Sequence, residues 1–450
     1  MSHDAIVIGA GISGLACAQG LSAAGFSVTV LESDYVIGGN IRTSSSDGFV
    51  YERGPHTFMG SAYGIFDLID RLGISKAVVE AGKSSNARYI VRNGHAYKIP
   101  SGPFSFLGTG LLSWKSKMEL IREPWRKSDG NENDTAAEFF ARRFGKEAAE
   151  VLAGAFVNGV YAGDPATLSA PAAFPLFWGF ERTHGSMIRG ARALGKQRRK
   201  DGLPIRKGLY SFSEGLGHLT TAAAESINGK IITNAVVESV AKDGDQYEVK
   251  WPSGSLRSAN VVLATPPGQA SSIAASLDED ISKVLADVPM SPVAVVHVGF
   301  EKKVEKVPNS YGFLAPRGSG AECLGILFPS RLFEGRAPGD LFTAYLGGVF
   351  NPGALDQTDD ELVGKVMIDL EKLFEMHDTP VFTRVFRHPR AIPQLTLGHL
   401  QRRSAIDERL KKHPGFRLAG NYLYGVGVKD AVASGVDAAR YLTGTIDDNK

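Results

Sequence analysis

The chain has 450 residues, a hydrophobic share of 43%, a charged share of 22% and a formal net charge of +2. That length supports two or three lobes around sizeable cores, and so even a charge balance gives no reason to expect a nucleic-acid partner. The two cysteines, Cys17 and Cys323, exclude a disulfide framework and point to a reducing compartment; neither has metal-ligand spacing with histidine, so no metal site is expected.

The first expected element is a buried strand, Ala5-Ile6-Val7-Ile8, which runs directly into Gly9-Ala10-Gly11-Ile12-Ser13-Gly14. An Ala- and Leu-rich helix follows from Leu15 to Ala24, Gly25 ends it, and Ser27 to Leu31 reads as a second strand closed by Glu32 and Ser33. This is GxGxxG inside a βαβ frame with an acid at the end of the second strand, the pattern of a dinucleotide site. Gly9 allows the turn, Gly11 leaves the pyrophosphate path free of a side chain, and Gly14 lets helix and sheet approach. The helix start, at Ile12 and Ser13, aims free N–H groups at phosphate, and Glu32 can accept from ribose hydroxyls. Gly38-Gly39-Asn40-Ile41-Arg42-Thr43 adds a second close backbone approach and a cation for the pyrophosphate, which favours FAD over NAD.

With this opening no leader peptide is expected, and no apolar run is long enough to span a bilayer. The expected location is cytoplasmic, with peripheral contact at the cytoplasmic membrane face open. Ser61 is the expected cap of a helix reaching Leu72. Tyr89-Ile90-Val91 and Ala96 to Ile99 flank Asn93-Gly94, a hairpin signal. From Pro100 to about Arg206 the pattern is helical, with Asp134 as the expected cap of a helix through Ala136, Phe139, Phe140 and Phe144. After Gly208, Ile231-Ile232, Val236-Val237, Tyr247 to Val249 and Val261 to Leu263 read as strands of the nucleotide-binding domain. The last runs into Ala264-Thr265-Pro266-Pro267. Pro292 to Phe300, Leu324 to Phe328, Leu341 to Gly347 and Val381 to Phe386 suggest a second sheet. Thr358 to Met376 is an amphipathic helix whose apolar stripe is core. Phe416 to Asn421 is a strand and turn, and Gly425-Val426-Gly427-Val428 opens a helix, Lys429 to Leu442. Its N-terminus would stabilise negative charge on a reduced flavin.

The expected fold is α/β: a discontinuous Rossmann-like FAD-binding domain (1–80, 208–267 and 400–450), a mixed-sheet substrate domain (81–99 and 268–399) and a helical lobe (100–207) open to membrane binding. Cofactor contacts are expected at Gly9, Gly11, Ile12, Ser13, Gly14, Glu32, Ser33, Gly39, Asn40, Arg42, Gly54, Pro55, His56, Thr57, Val237, Ala264, Thr265, Gly420, Asn421, Gly427 and Val428.

Several segments together resemble the protoporphyrinogen oxidase family of amine-oxidase-like flavoproteins. They are Glu52 to Phe58 (ERGPHTF), Arg88 to Gly94 (RYIVRNG), Gly159 to Pro165 (GVYAGDP) with Leu168-Ser169, Pro393 to His399 (PQLTLGH), and Gly420-Asn421-Tyr422 to Gly427. The resemblance implies a six-electron oxidation of protoporphyrinogen IX to protoporphyrin IX in three steps. A meso hydrogen would leave as hydride to FAD, and dioxygen would reoxidise the flavin to give hydrogen peroxide. It aligns Arg88 with an arginine that pairs with a substrate propionate, and Gly159 with a glycine whose carbonyl faces pyrrole N–H groups. A homodimer and a handoff to ferrochelatase stay open. No catalytic side chain is expected, because positioning the ring and shielding the flavin suffice. His56 and His399 read first as hydrogen-bonded structural residues, and Lys302 and Lys303 as a solvated turn. Phe174, Leu176, Phe177, Trp178 and Phe180, followed by Arg182, Arg189, Arg192, Lys196, Arg198, Arg199 and Lys200, could seat the helical lobe on an anionic membrane. The alternatives are a coproporphyrinogen III oxidase, whose tetracarboxylate substrate needs extra pocket cations, a flavin amine oxidase or carotenoid desaturase, and a non-catalytic binding protein.

Overall fold

The computed structural model describes residues 4–200, 206 and 208–445. The outermost ends assigned to the FAD-binding domain, 1–3 and 446–450, and positions 201–205 and 207 of the helical lobe lie outside the described residues.

Five parallel strands form the first sheet, in the order Gly229–Ile232, Val28–Leu31, Ala5–Ile8, Val261–Leu263, Phe416–Leu418. A parallel sheet is covered on both faces, which is why its inner strands are short runs of buried residues, AIVI, VTVL and VVL. Strands from both ends of the chain and its middle thus share one sheet. The helices Ile12–Ala23 and Val428–Leu442 lie against each other through small residues. A Cβ on Gly435 would stand 2.0 Å from the Ser13 carbonyl oxygen, and one on Gly20 would stand 2.9 Å from the Ala439 Cβ.

A seven-stranded mixed sheet runs in the order Phe382–Pro393, Met290–Phe300, Asp340–Gly347, Gly325–Leu327, Gly312–Leu314, Arg88–Arg92, His95–Lys98. Alternation divides the Met290–Phe300 strand between two environments. Ala294, Val296 and Val298 pack with Leu362, Val366 and Leu370 of the helix Asp359–Phe374, whereas Val293 and Val295 cluster with Leu324 and Tyr345 on the opposite face. The Arg88–Arg92 hairpin turns through Asn93 (φ +51°) and Gly94 (φ +75°), the left-handed pair a two-residue hairpin demands.

Between the two sheets in sequence lies the helical lobe. Its polar centre is Arg143, fully buried, paired with buried Glu123 and with Glu181 at 3.4 Å. Glu123 also accepts from the Ser186 hydroxyl (2.6 Å) and the Met187 amide (2.9 Å), so one carboxylate ties three segments together.

Four expectations are corrected. Val236-Val237 is not a strand: the chain leaves the sheet after Ile232 and crosses its edge as a loop. Tyr247 to Val249 belongs to a separate antiparallel sheet (Ser239–Asp243, Gln246–Trp251, Gly254–Ser258), which lays Val240, Tyr247 and Val249 onto the core shared with the parallel strands. The helix at Tyr63–Leu72 starts from Ala62 without a side-chain cap, so Ser61 does not cap it. Thr135, not Asp134, caps Ala136–Phe144, exchanging hydrogen bonds with Glu138 (3.2 and 2.9 Å), because the Asp134 carboxylate is engaged by Arg142 at 2.7 Å.

Candidate functional site

A single continuous cavity of about 1670 Å³ runs from the carboxyl ends of the parallel strands to the free face of the mixed sheet. Open parallel sheets place ligands at that end, and the volume exceeds the roughly 300–1,000 Å³ of an ordinary small-molecule pocket.

At one end the glycine-rich turns form a cradle. Gly9 holds φ +105°, and a Cβ there would press on the Ala264 carbonyl oxygen at 2.8 Å. A Cβ on Gly11, by contrast, would meet nothing within 4 Å and would project into open cavity. The Gly38 amide donates to the Ala10 carbonyl at 2.8 Å, which brings the second glycine pair alongside the first. Glu32 accepts from the Ala10 amide (2.7 Å) and the Asp34 amide (2.9 Å), so its carboxylate is fixed at the sheet edge. Arg42 pairs with Asp34 at 2.7 Å and donates to the Val36 carbonyl, yet its buried Nε has no partner. Thr265 Oγ1, also buried, has none either. Both residues line the cavity, so two orphaned polar atoms await an oxygen-rich ligand.

Of the positions expected to touch the cofactor, every one except Gly14 lines this cavity. Gly14 lies behind it, where a Cβ would stand 2.0 Å from the Gly9 carbonyl oxygen; its task is helix–strand approach. Val237 reaches the wall from the loop that replaced the expected strand. At the Val428–Leu442 helix the Asp430 carboxylate already accepts from the Gly427 amide at 3.1 Å and pairs with Lys429, so one of the first-turn amides is already engaged.

The far end is apolar. Ile90, Ile99, Leu152, Phe156, Val160, Val293, Val295 and Leu314 line it, with Arg88 among them. Arg88 opens its strand, lies over the Tyr311 ring at 5.2 Å and has no carboxylate partner among the described residues. Gly159 sits in a π-helical turn, Val157–Tyr161; a Cβ there would meet the Leu314 side chain at 2.4 Å. The two histidines singled out from the sequence part company. His56 lines the cavity and is hydrogen-bonded; His399 is buried in another wall of the fold and is no part of it. Lys302 and Lys303 are exposed, away from the cavity. Tyr311, Tyr345, Phe386, His388 and Arg390 also line it and were not singled out. Tyr311 immediately precedes the strand Gly312–Leu314, and the other four lie on strands where only the pairing reveals which face turns inward.

A sequence profile of the flavin-containing amine oxidoreductases matches residues 12–443. The chain belongs to this family. Protoporphyrinogen oxidase 2 of Arabidopsis thaliana is 30% identical, over 99% of this chain and 95% of its own. Protoporphyrinogen oxidase 1 of Spinacia oleracea is 32% identical, over 97% and 83%. Coproporphyrinogen III oxidase of Bacillus subtilis is 28% identical, over 97% and 98%. A crystal structure from Exiguobacterium sp. 255-15, provisionally named a protoporphyrinogen oxidase, superposes with a TM-score of 0.85 at 24% identity, over 99% of this chain and all of the other, and shows the fold. This member of the flavin-containing amine oxidoreductases is therefore an FAD-dependent oxidoreductase of the expected α/β class. The open space above Gly11 and the orphaned Arg42 Nε and Thr265 Oγ1 fit the pyrophosphate and hydroxyl-bearing parts of FAD.

Proposed function

We propose that this oxidoreductase converts protoporphyrinogen IX to protoporphyrin IX. The observation that carries the reading is the cavity itself: an FAD cradle continuous with an apolar chamber that holds Arg88, a guanidinium with no carboxylate partner among the described residues and only a 3.4 Å hydrogen bond from Nε to the Ser85 carbonyl. Bound FAD supplies a two-electron acceptor, and dioxygen restores it with release of hydrogen peroxide. The chain's own work is positional. Arg88 takes a propionate in bidentate geometry, and the aliphatic and aromatic walls hold the macrocycle edge-on to the cradle and exclude water. Of the other arginines on the wall, Arg387 is paired with Asp359 at 2.7 Å, Arg53 donates to Ser44 at 3.0 Å, and Arg42 and Arg390 adjoin the nucleotide turns. One cation in the apolar chamber, among the described residues, suits a dicarboxylate better than the tetracarboxylate coproporphyrinogen III.

The test is anaerobic mixing of the flavin-loaded protein with protoporphyrinogen IX. Bleaching of the flavin band, reversed by air, is expected. Bleaching by coproporphyrinogen III alone would move the assignment to that substrate, and a flavin reduced by dithionite but by neither porphyrinogen would overturn it.

We further place the protein peripherally on the cytoplasmic membrane face. No described helix is long and apolar enough to cross a membrane. The helical lobe nonetheless exposes Phe104 (91%), Trp125 (75%), Trp114 (61%) and Leu176 (53%). Phe174 and Phe180, expected on the surface, are buried in the lobe, so the exposed apolar side chains come mainly from 104–125. Phe156 and Val160 are both exposed and on the cavity wall, which gives a greasy substrate a way in at this lobe. Co-sedimentation with anionic liposomes is expected, weakened by Phe104→Ser with Trp125→Ser; no binding in low salt would remove the idea.

A further inference from the structure

Behind the cavity wall runs a buried chain of hydrogen bonds, from the Glu52 carbonyl to Tyr345, that reaches beyond the expected cofactor contacts Gly54 and His56 to His297 and Thr343. His297 Nε2 lies 3.0 Å from the Glu52 carbonyl oxygen, and its Nδ1 lies 2.9 Å from Thr343 Oγ1. Thr343 Oγ1 is 3.2 Å from His56 Nε2, and His56 Nδ1 is 2.9 Å from the Tyr345 hydroxyl. The Gly54 carbonyl oxygen closes the end, 3.1 Å from His56 Nδ1 and 3.3 Å from the Tyr345 hydroxyl. His297 and Thr343 are fully buried and His56 nearly so; His56 and Tyr345 line the cavity.

The proton directions follow from the two carbonyls that end the chain, of Glu52 and Gly54, and from the number of protons between them. A backbone carbonyl only accepts, so His297 must carry its proton on Nε2. Burial lowers the His297 pKa to about 3 and that of His56 well below its usual value, so both rings are neutral with one proton each. The bare His297 Nδ1 then takes the Thr343 hydroxyl proton. Thr343 Oγ1, its proton committed, accepts from His56 Nε2–H. That leaves His56 Nδ1 bare and facing the Tyr345 hydroxyl, whose proton is shared between Nδ1 and the Gly54 carbonyl. The opposite tautomer of His56 would turn Nδ1–H to the Gly54 carbonyl but leave Nε2 and Thr343 Oγ1 facing each other with no proton between them, whereas in the Nε2–H form the Tyr345 proton lies between Nδ1 and the Gly54 oxygen, which stand 3.1 Å apart.

We infer that His297 and Thr343 are positioning residues that lock the Tyr345 phenol with its proton turned inward, so that its oxygen meets the cavity only as an acceptor for a substrate N–H group. The inference rests on the reading of the substrate as a porphyrinogen, a puckered macrocycle whose four pyrrole N–H groups can point out of the ring. In the planar porphyrin product the remaining N–H groups point into the ring. The acceptor therefore distinguishes substrate from product.

Two measurements on the flavin-loaded protein test it. Imidazole ¹⁵N spectra should show His56 and His297 as neutral Nε2–H tautomers, with the His56 pattern altered in Thr343→Val; a His56 protonated on Nδ1 in the wild type would overturn the lock. Kinetically, Tyr345→Phe should lower kcat/KM for porphyrinogen about tenfold with FAD retained, the scale of one neutral hydrogen bond. Inhibition by planar protoporphyrin should stay unchanged. Thr343→Val should cost a similar factor, Thr343→Ser should restore it, and the double variant Thr343→Val with Tyr345→Phe should lose no more than Tyr345→Phe alone. Additive losses, equal loss of porphyrin binding, or loss of FAD from Tyr345→Phe would each sink the inference. A wild type with the stated tautomers that oxidises no porphyrinogen would instead remove the substrate reading and leave the lock standing.

Discussion

Gly11 and Gly14 stand three residues apart in one motif and answer to different constraints. A side chain on Gly11 meets no protein atom, only the space where the pyrophosphate passes; one on Gly14 meets the Gly9 backbone at 2.0 Å. Gly11→Val should therefore give a folded apoprotein with the wild-type circular dichroism and no flavin absorbance. Gly14→Val should fail at the fold, as insoluble or thermally weakened protein. A yellow, fully loaded Gly11→Val would contradict the cradle. Arg88 is the complementary case, since it lines the apolar chamber with no carboxylate partner among the described residues, its Nε donating only to the Ser85 carbonyl at 3.4 Å. Arg88→Ala should raise KM for porphyrinogen by about tenfold to a hundredfold, the loss of one charge-assisted pair, with FAD content unchanged. Loss of flavin would move Arg88 to the cofactor. The cradle residues were legible because the turn, the close approach and the phosphate N–H groups fall within one short stretch. Tyr345 was not, because DLFTAYLG, buried except at Tyr345 itself, has apolar residues on both faces and carries no mark of which residues face a ligand.

At the scale of elements, local competition decides what sequence reading gets wrong. Asp134 and Thr135 are both good caps by type, and the choice between them is made by Arg142, thirty-nine residues from Glu181 but bonded to both Glu181 and Asp134. Likewise Val236-Val237 has strand composition, but the parallel ladder ends at Ile232 and Leu31, and beyond it the backbone bonds go to the turn after Leu31 and then to Lys250 of the antiparallel sheet. The lobe's helices are short, and their arrangement depends on Arg143, whose guanidinium reaches Glu123, Glu181 and the carbonyls of Lys127 and Gly185. Removing it leaves the buried Glu123 carboxylate without a cation, while Glu181 keeps Arg142 at 2.9 Å. Arg143→Met should cost roughly 3–5 kcal/mol of stability, read as a lowered Tm or urea midpoint. A change below about 1 kcal/mol would mean that water reaches Glu123 and that the cluster is not the lobe's anchor.

For the whole molecule, the buried histidines set the response to acid. His56, His297, His388 and His399 all have lowered pKa values, with burial the first cause in each; His297 falls to about 3 and His399 to about 4. As pH falls below about 6.5 the unfolded chain protonates these rings and the folded chain does not. The unfolded state then binds more protons, so stability falls with falling pH, by up to about 1.4 kcal/mol per unit for each such ring. Glu52 opposes this: burial raises its carboxyl to about 7 against the pull of Thr43, the Leu216 amide and Arg336, so in the same window the folded state holds a proton that the unfolded chain has released. Burial raises Asp369 and Asp437 in the same direction, but Glu52 is the carboxyl lifted to about 7, and set against four histidines it leaves the net sign between pH 7 and pH 5.5 with the histidines. The Tm should drop between pH 7 and pH 5.5, and His297→Gln, which cannot titrate, should make the drop shallower. A Tm that holds or rises on acidification would mean that protons enter the folded core and that the neutral chain from Glu52 to Tyr345 does not persist there. The same burial that keeps those rings neutral thus makes the fold acid-sensitive, and the two properties must stand or fall together.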